Sequence, residues 1–169
     1  MAVLGANGAG KSTLLRLLAG LLRPAAGTIA LLPDDSEASG GRLHYAGHLD
    51  ALKSALTVGQ NLAYWAKLWA SDAQRVDEAI ETVGLAMVAQ LPVAVLSAGQ
   101  RRRAALARLL IARRPLWLLD EPTASLDAGG TAILGKVIAG HIARGGIAVV
   151  ATHAELPVPL SHLLTLGAA

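Results

Sequence analysis

Short, almost wholly apolar runs alternate along this chain with longer stretches in which apolar residues recur at every third or fourth position. A short apolar run bounded by turn residues is typical of a buried strand, whereas the longer period is typical of a helix. The polar, turn-rich residues 33–41 predict a loop. The predicted strands lie at residues 1–4, 27–32, 43–47, 116–119, 147–152 and 163–166.

Capping patterns locate the starts of several helices. A side-chain oxygen followed three positions later by Gln can form a capping box, in which the two residues cap the helix start reciprocally. This pattern occurs at Thr57 with Gln60, at Ser71 with Gln74, and at Ser97 with Gln100. We therefore expect helices over residues 13–22, 57 to about 70, 71 to about 84, from 97 onward, and 131–144.

The order of these elements predicts the fold class. Strands that alternate with helices form a mostly parallel sheet covered by helices, which is an α/β fold. The stretch from 49 to about 96 breaks this alternation because it carries helices only. We expect one domain with a core built from residues 1–48 and 97–169, into which residues 49–96 are inserted as a helical subdomain.

The loop between the first strand and the first helix has the residue types of a phosphate-binding loop. It fits G-x-x-x-x-G-K-S/T without mismatch. Glycines let successive backbone N–H groups face phosphate oxygens, Lys11 brings a positive charge, and the Ser12 hydroxyl is a hard oxygen ligand for Mg²⁺. The start of the following helix adds a partial positive charge. The chain is therefore predicted to bind a nucleoside triphosphate through Gly5, Ala6, Asn7, Gly8, Ala9, Gly10, Lys11, Ser12 and Thr13.

Further polar residues follow the other predicted strands, namely Asp120 with Glu121, His48 and His153. Ligands of parallel α/β sheets bind at the carboxyl ends of the strands, so we expect these side chains to meet the phosphate loop. The Asp120 carboxylate is the expected partner of Ser12 in holding Mg²⁺. Glu121 is the candidate general base for the attacking water, and His153 is a candidate donor to the γ-phosphate or to this water.

Composition narrows the classes of function. The 169 residues suit one domain, and the absence of cysteine excludes a disulfide framework and a thiolate metal site. Apolar residues make up 53% and charged residues 16%, so part of the surface has to be apolar or covered by a partner. The arginines between Arg101 and Arg114 lack interleaved aromatics, and we interpret them as a solvated helix face that partly serves anions. We expect no nucleic-acid partner.

Taken together, these motifs resemble those of the nucleotide-binding subunits of ABC transporters over nearly the whole chain. Their order and spacing match as well as their residue types. The matching segments are 5–13 for Walker A, 96–100 for the LSGGQ signature with Ala98 in place of a glycine, 116–121 for Walker B with its glutamate, 125–127 for the D-loop, and His153 for the switch histidine.

This resemblance implies an ATPase that uses ATP and Mg²⁺ and works as a head-to-tail homodimer. Each ATP would lie between the Walker A loop of one subunit and the signature of the other. Ser97, Gly99 and Gln100 would then contact the ATP of the partner subunit, and Asp127 would act in the D-loop. A helix N-terminus facing a γ-phosphate across an interface is chemically reasonable.

A narrower resemblance is to the cytochrome c maturation ATPases, which serve haem export. It implies integral-membrane subunits of the cytochrome c maturation machinery as partners, and a peripheral location on the cytoplasmic side of the cell inner membrane. Most ABC ATPases have Gln at the position of His48, whereas a histidine is usual in this subfamily. Because imidazole is a poor Mg²⁺ ligand, we expect His48 to act through a water molecule or in coupling the site to the membrane subunit. The residues behind the resemblance are 45–48, Lys53, 56–57, 61–62, Trp65, 96–100, 145–146 and 152–153.

One feature departs from the family pattern, and alternatives to the haem assignment stay open. The family has two further strands and an adenine-stacking aromatic before Walker A, whereas Met1 lies four residues from Gly5 here. We expect either that the start codon is misassigned or that the protein is truncated. The alternatives are an ABC ATPase for another substrate, a truncated remnant, and a soluble non-transport ABC ATPase that acts on nucleic acid or ribosomes. Proteins of the last kind usually have two cassettes in one chain or long coiled-coil insertions, neither of which occurs here.

Overall fold

The predicted apolar runs assemble into a parallel sheet in a computed structural model that describes residues 1–30, 41–154, 156 and 158–167. Within these residues the sheet has five strands in the spatial order β2-β3-β4-β1-β5, and every pairing is parallel. The expected α/β class with a parallel sheet is confirmed. The strands are β1 (Ala2–Leu4), β2 (Leu43–Ala46), β3 (Leu116–Asp120), β4 (Ile147–Ala151) and β5 (Leu163–Thr165).

Helices cover both faces of this sheet. Successive residues of a strand point to opposite faces, so the apolar strands present buried side chains on each face. Leu118 and Val149 pack with Leu15 on one face, whereas Trp117 and Leu119 pack with residues of two other helices on the opposite face. The helices are α1 (Lys11–Leu18), α2 (Val58–Leu68), α3 (Gln74–Thr82), α4 (Ala98–Ile111) and α5 (Ala128–Ala143), with short 3₁₀ turns at Ala86–Val88 and Val93–Val95.

The helical stretch after β2 has a hydrophobic cluster of its own. Leu62 of α2, Ile80 of α3 and Ile111 of α4 are at most 4% exposed and belong to one cluster that is separate from the two clusters on the sheet. Helix α4 also sends Leu106 and Leu109 into the cluster that it shares with α5 and the sheet. Helix α4 therefore joins the helical stretch to the sheet. Within the residues described, no helix has the length and apolar character needed to cross a membrane.

A row of aromatic rings crosses the same junction. Neighbouring ring centroids are 4.9 Å apart for Trp65 and Trp69, 4.9 Å for Trp69 and His44, 6.5 Å for His44 and Trp117, and 3.8 Å for Trp117 and His141. We refer to these five residues as the aromatic row. The row runs from α2 through β2 and β3 to α5. Ring pairs at such separations stabilise the contact between these elements by more than the burial of their apolar area alone.

Two of the three expected capping boxes are confirmed, and the third is wrong. Thr57 and Ser97 each accept a hydrogen bond from the backbone of the Gln three residues later, whose side chain binds the cap residue in return. Helix α3 instead has Ala73 at its cap position and no side-chain cap. The Ser71 hydroxyl donates to the carbonyl of Ile111, so the end of α4 uses the group that was expected to start α3.

The expectations for residues 13–32 are wrong in two respects. Helix α1 ends at Leu18 instead of reaching Leu22, because Gly20 has a φ of 70° and the N–H of Leu21 bonds the carbonyl of Arg16, closing the helix as a Schellman motif. Residues 27–30 form no strand and are exposed, and none of the described strands pairs with them. The rest of that predicted strand, and the predicted loop up to residue 40, lie outside the described residues.

Candidate nucleotide-binding site

The predicted phosphate loop connects β1 to α1 at the carboxyl end of the sheet. Gly10 caps α1 with a φ of 94°, a left-handed conformation that glycine adopts without steric cost. Gly5 has a φ of 150°, and a Cβ at this position would lie 2.5 Å from the carbonyl oxygen of Leu166. The close approach of the chain after β5 therefore requires a glycine at position 5. Ala6, Asn7, Gly8 and Thr13 are exposed to solvent.

The Lys11 ammonium lies inside this loop. Its Nζ donates to the carbonyl oxygens of Gly5 at 2.7 Å and of Ala6 at 3.2 Å, and it lies 3.9 Å from Oε1 of Glu121. Lys11 is only 7% exposed although it is charged. The loop therefore holds its positive charge against the backbone and beside the carboxylate that follows β3.

Ser12 and Asp120 meet directly. The Ser12 hydroxyl donates to Oδ1 of Asp120 at 3.0 Å, and Asp120 is 1% exposed. The other carboxylate oxygen, Oδ2, is buried and has no hydrogen-bond partner among the described residues. A buried carboxylate oxygen without a donor is costly unless a cation is bound nearby, and a carboxylate with a hydroxyl is the donor set that Mg²⁺ prefers. The residues present therefore fit a magnesium ion.

Glu121 and His153 complete the cluster. Asp120 pairs with Ala151 in the sheet, so the residues that follow β3 and β4 emerge side by side. Nδ1 of His153 lies 3.0 Å from Oε1 of Glu121, and Oε2 of Glu121 is buried without a hydrogen-bond partner in the described part of the chain. Glu121 has a φ of 46°, which is unusual for a residue with a side chain.

The remaining predicted site residues lie outside this contact network. His48 follows β2 at the same edge of the sheet, but it is exposed and makes no hydrogen bond or ion pair within the described ranges. Ser97, Gly99 and Gln100 form the first turn of α4, next to the loop before α5, where a Cβ on Gly99 would lie 3.0 Å from the carbonyl oxygen of Ser125. Their roles in the site remain predictions.

Asp127 has a local structural role. Its Oδ1 accepts a hydrogen bond from the N–H of Gly130 at 2.7 Å and thereby caps α5. The carboxylate at the start of α5 also complements the positive end of the helix dipole. This cap fixes the loop that contacts the first turn of α4 and is independent of the D-loop role predicted for Asp127.

The interpretation of the arginines on α4 as a solvated face is wrong for Arg102 and Arg108, which are 4% and 8% exposed. Arg108 lies over the ring of Trp65, 5.0 Å from its centroid. Arg102 donates to the backbone carbonyls of both Asp120 and Glu121. The sequence did not single out Arg102, because three consecutive arginines look alike until the neighbours of each one are known.

The chain is similar to curated proteins over its whole length. The profile of the ABC transporter family matches residues 1–124. A cytochrome c biogenesis ATP-binding export protein CcmA of Rhodopseudomonas palustris (strain BisB5) is 50% identical over 172 residues, covering 100% of this chain and 84% of the relative. A protein of the same name from Rhodospirillum rubrum is 51% identical over 168 residues, covering 97% of this chain and 72% of the relative.

Solved structures agree with the fold. A putative ABC transporter ATP-binding protein from Pyrococcus furiosus superposes with a TM-score of 0.79 at 24% identity, covering 98% of this chain and 84% of that one. The dimeric ATP-binding cassette MJ0796 bound to ADP and Pi gives a TM-score of 0.76 at 25% identity, covering 90% of this chain and 74% of that one. With the phosphate loop, the two carboxylates at the end of β3 and the matching family profile all present, the chain belongs to the ABC transporter family as one of its ATP-binding subunits.

Proposed function

We propose that this chain hydrolyses ATP to energise a membrane complex that exports or delivers haem for cytochrome c maturation. Its ATPase activity follows from its family. The haem assignment is carried by one observation, the 50% identity over the whole chain to an export protein named for cytochrome c biogenesis. Since nothing in the phosphate loop recognises a cargo, the role in cytochrome c maturation has to be tested in cells.

The phosphate loop and α1 bind the phosphates of ATP in this proposal. Backbone N–H groups of residues 5–13 and the α1 N-terminus face the phosphate oxygens, and Lys11 exchanges its bonds to Gly5 and Ala6 for bonds to phosphate. Ser12 and Asp120 are the residues that would hold Mg²⁺, in line with the unpartnered Oδ2 of Asp120. When bound, this ion neutralises charge that develops on the phosphate oxygens.

Glu121 acts as the general base. Nδ1 of His153 contacts its Oε1, and its buried Oε2 has no hydrogen-bond donor among the described residues. As the oxygen of water attacks the γ-phosphorus, its proton passes to Glu121, and the bond to the β-γ bridging oxygen breaks to release ADP. His153 orients the carboxylate and, when protonated, can donate to the transferred phosphoryl group.

The chain works as a head-to-tail homodimer in this proposal. Ser97, Gly99 and Gln100 form an exposed or half-exposed helix start whose first N–H groups suit an anion. The cassette MJ0796, at 25% identity, forms a dimer with ADP and Pi bound. The first turn of α4 and the D-loop residue Asp127 would therefore contact the ATP held by the partner subunit.

The proposed partners are integral-membrane subunits of the cytochrome c maturation machinery. The proposed location is peripheral, on the cytoplasmic side of the cell inner membrane. The relatives are named as export proteins. Leu49 is 81% exposed and lines a groove of about 480 Å³ together with Leu52, Ala94 and Arg101. A groove with apolar and polar lining next to the segment that carries His48 suits an amphipathic partner helix, and His48 would couple that partner to the site.

The test is a strain in which the gene is deleted or replaced by Lys11→Ala. Haem staining should show the loss of c-type cytochromes while b-type haem proteins persist. Normal c-type cytochromes would remove the haem assignment and leave the ATPase assignment in place. Purification of the chain from detergent extracts then separates the alternatives, since other membrane subunits indicate another cargo, whereas ribosomes or DNA indicate a non-transport ATPase.

A further inference from the structure

Among the buried cationic side chains in the described part of the chain, Arg102 donates the most hydrogen bonds. Its guanidinium donates to the backbone carbonyls of Asp120 at 2.9 Å, Glu121 at 2.8 Å and Pro122 at 3.4 Å. It also donates to the carbonyl of Gly47 at 3.0 Å and to Oδ1 of Asp50 at 3.2 Å. A side chain on α4 thus reaches the chain after β3 and the chain after β2 at the same time.

The carbonyls that Arg102 binds belong to a turn with unusual backbone geometry. Glu121 has a φ of 46°, which residues with a Cβ rarely adopt unless neighbouring groups enforce it. The N–H of Glu121 bonds the carbonyl of Ala151 in β4, while its carbonyl and that of Asp120 turn toward Arg102. Buried carbonyls need donors, and the guanidinium supplies them.

Arginine suits this position better than lysine. The planar guanidinium presents five N–H donors in a fixed fork, whereas an ammonium is a point charge with three donors. Three successive carbonyls on one side and the Gly47–Asp50 segment on the other use this fork in full. The salt bridge to Asp50 balances the buried charge and anchors the far side of the guanidinium.

We propose that Arg102 is a positioning residue for ATP hydrolysis. It holds the backbone of Asp120, Glu121 and Pro122 in the conformation that aims the Glu121 carboxylate, and it takes its own support from Gly47 and Asp50. Arg102 acts through Glu121 and touches no reacting atom. The inference rests on the proposed role of Glu121 as the general base.

The test compares Arg102→Lys and Arg102→Gln with the matched control Arg103→Gln, using the full-length chain together with any membrane subunits that co-purify. Arg103 is the next residue and also donates to backbone carbonyls, those of Val83 and Gly84, away from the site. We expect kcat to fall on the order of 10- to 100-fold in both Arg102 variants because a displaced catalytic group is inefficient. The KM for ATP should stay close to its original value, because the phosphate loop is unchanged. Arg103→Gln should keep kcat.

A double variant separates positioning from general loss of structure. In a Glu121→Gln background, Arg102→Lys should leave the residual single-turnover rate unchanged, because the group that Arg102 positions is no longer a base. A purely structural role would lower the rate by the same factor in both backgrounds and would overturn the proposal. Arg102→Lys keeps the charge, so it decides the outcome if Arg102→Gln does not fold.

The result for Glu121→Gln alone distinguishes the two levels of inference. If Glu121→Gln is inactive and Arg102→Lys has the original kcat, the inference about Arg102 is wrong and the role of Glu121 stands. If Glu121→Gln itself hydrolyses ATP normally, the proposed base is wrong, and the positioning role of Arg102 is overturned with it.

Discussion

Nδ1 of His153 lies 3.0 Å from Oε1 of Glu121, and this contact joins an exposed side chain to a largely buried one. The His153 side chain is 67% exposed and that of Glu121 is 18% exposed. His153 therefore contacts the carboxylate from the solvent side of the sheet edge, while Lys11 approaches it from the phosphate loop. The position of the carboxylate depends on both neighbours.

Replacing the base should separate binding from hydrolysis. We expect Glu121→Gln to lower the hydrolysis rate by ~10²–10⁴-fold while ATP still binds, because an amide cannot accept the proton of water. His153→Ala should give a smaller loss, since the carboxylate remains but loses its support. The control is His162→Ala, because the His162 side chain is exposed and its ring hydrogen-bonds only the neighbouring Ser161 among the described residues. Steady-state phosphate release and a nucleotide-binding assay measure both effects, and normal turnover by Glu121→Gln would rule out Glu121 as the base.

The Mg²⁺ dependence should identify the metal ligands. Ser12→Ala and Asp120→Asn should each raise the Mg²⁺ concentration needed for half-maximal hydrolysis, on the order of 10- to 100-fold, because even residues behind the ligands change metal affinity by that factor. Asp72→Asn removes an exposed carboxylate that accepts a hydrogen bond from the N–H of Gln74, away from the site, and serves as the control. A Mg²⁺ titration at fixed ATP measures the shift. The assignment fails if both site variants titrate like the unchanged protein.

Two inactive variants should complement each other if each site is shared between subunits. Lys11→Ala should inactivate the site in its own subunit, and Ser97→Arg should inactivate the site of its neighbour. In a mixed dimer both changes fall on one site, and the other site keeps an intact Lys11 and Ser97. With equal amounts of the two proteins, we expect about a quarter of the original ATPase activity, since half the dimers have one good site of two.

The mixing assay has to include any membrane subunits that co-purify, since dimerisation can depend on them. Crosslinking of tagged subunits shows whether mixed dimers form. Mixed dimers that form and remain inactive would exclude a shared site that works alone. ATP crosslinking to residues 96–100 would then decide between an unshared site and two sites that have to act together.

Acid should destabilise the fold through His44. Burial lowers the pKa of His44 from 6.5 to about 4, against a hydrogen bond to the Ala112 carbonyl that acts in the opposite direction, and Arg114 and Arg108 lower it further. Because the unfolded chain binds this proton more readily, the stabilisation is complete above pH 6.5 and is lost as the pH falls toward 4. The loss amounts to about 3 kcal/mol of unfolding free energy.

Denaturant unfolding at several pH values measures this contribution. His44→Gln keeps a donor for the Ala112 carbonyl and removes the titration, so its unfolding free energy should depend less on pH between 6.5 and 4. Some dependence should remain, because burial also lowers the pKa of His141. The exposed His162 serves as the control, and His162→Gln should keep the original slope. An equal slope in His44→Gln would contradict the role of His44.

The sequence allowed the chemistry of the phosphate loop to be predicted because that chemistry is local. The pattern that predicts roles for Gly10, Lys11 and Ser12 lies within a few consecutive residues, and Asp120 is the last residue of an apolar strand. Arg102 could not be found in this way, because its function depends on carbonyls that are 18 and 19 residues away along the chain. Ser71 misled the capping argument for the same reason, since its partner, the carbonyl of Ile111, is 40 residues away.

The aromatic row gives the chain a built-in optical probe. Its three indoles, Trp65, Trp69 and Trp117, are all the tryptophans of the sequence, which has no phenylalanine. One of the two tyrosines, Tyr64, lies against Trp65 with ring centroids 5.7 Å apart. Emission from an indole depends on its immediate surroundings. The intrinsic fluorescence of this chain therefore reports almost entirely on the junction between the helical stretch and the sheet. Unlabelled protein can therefore reveal whether ATP moves the two parts relative to each other.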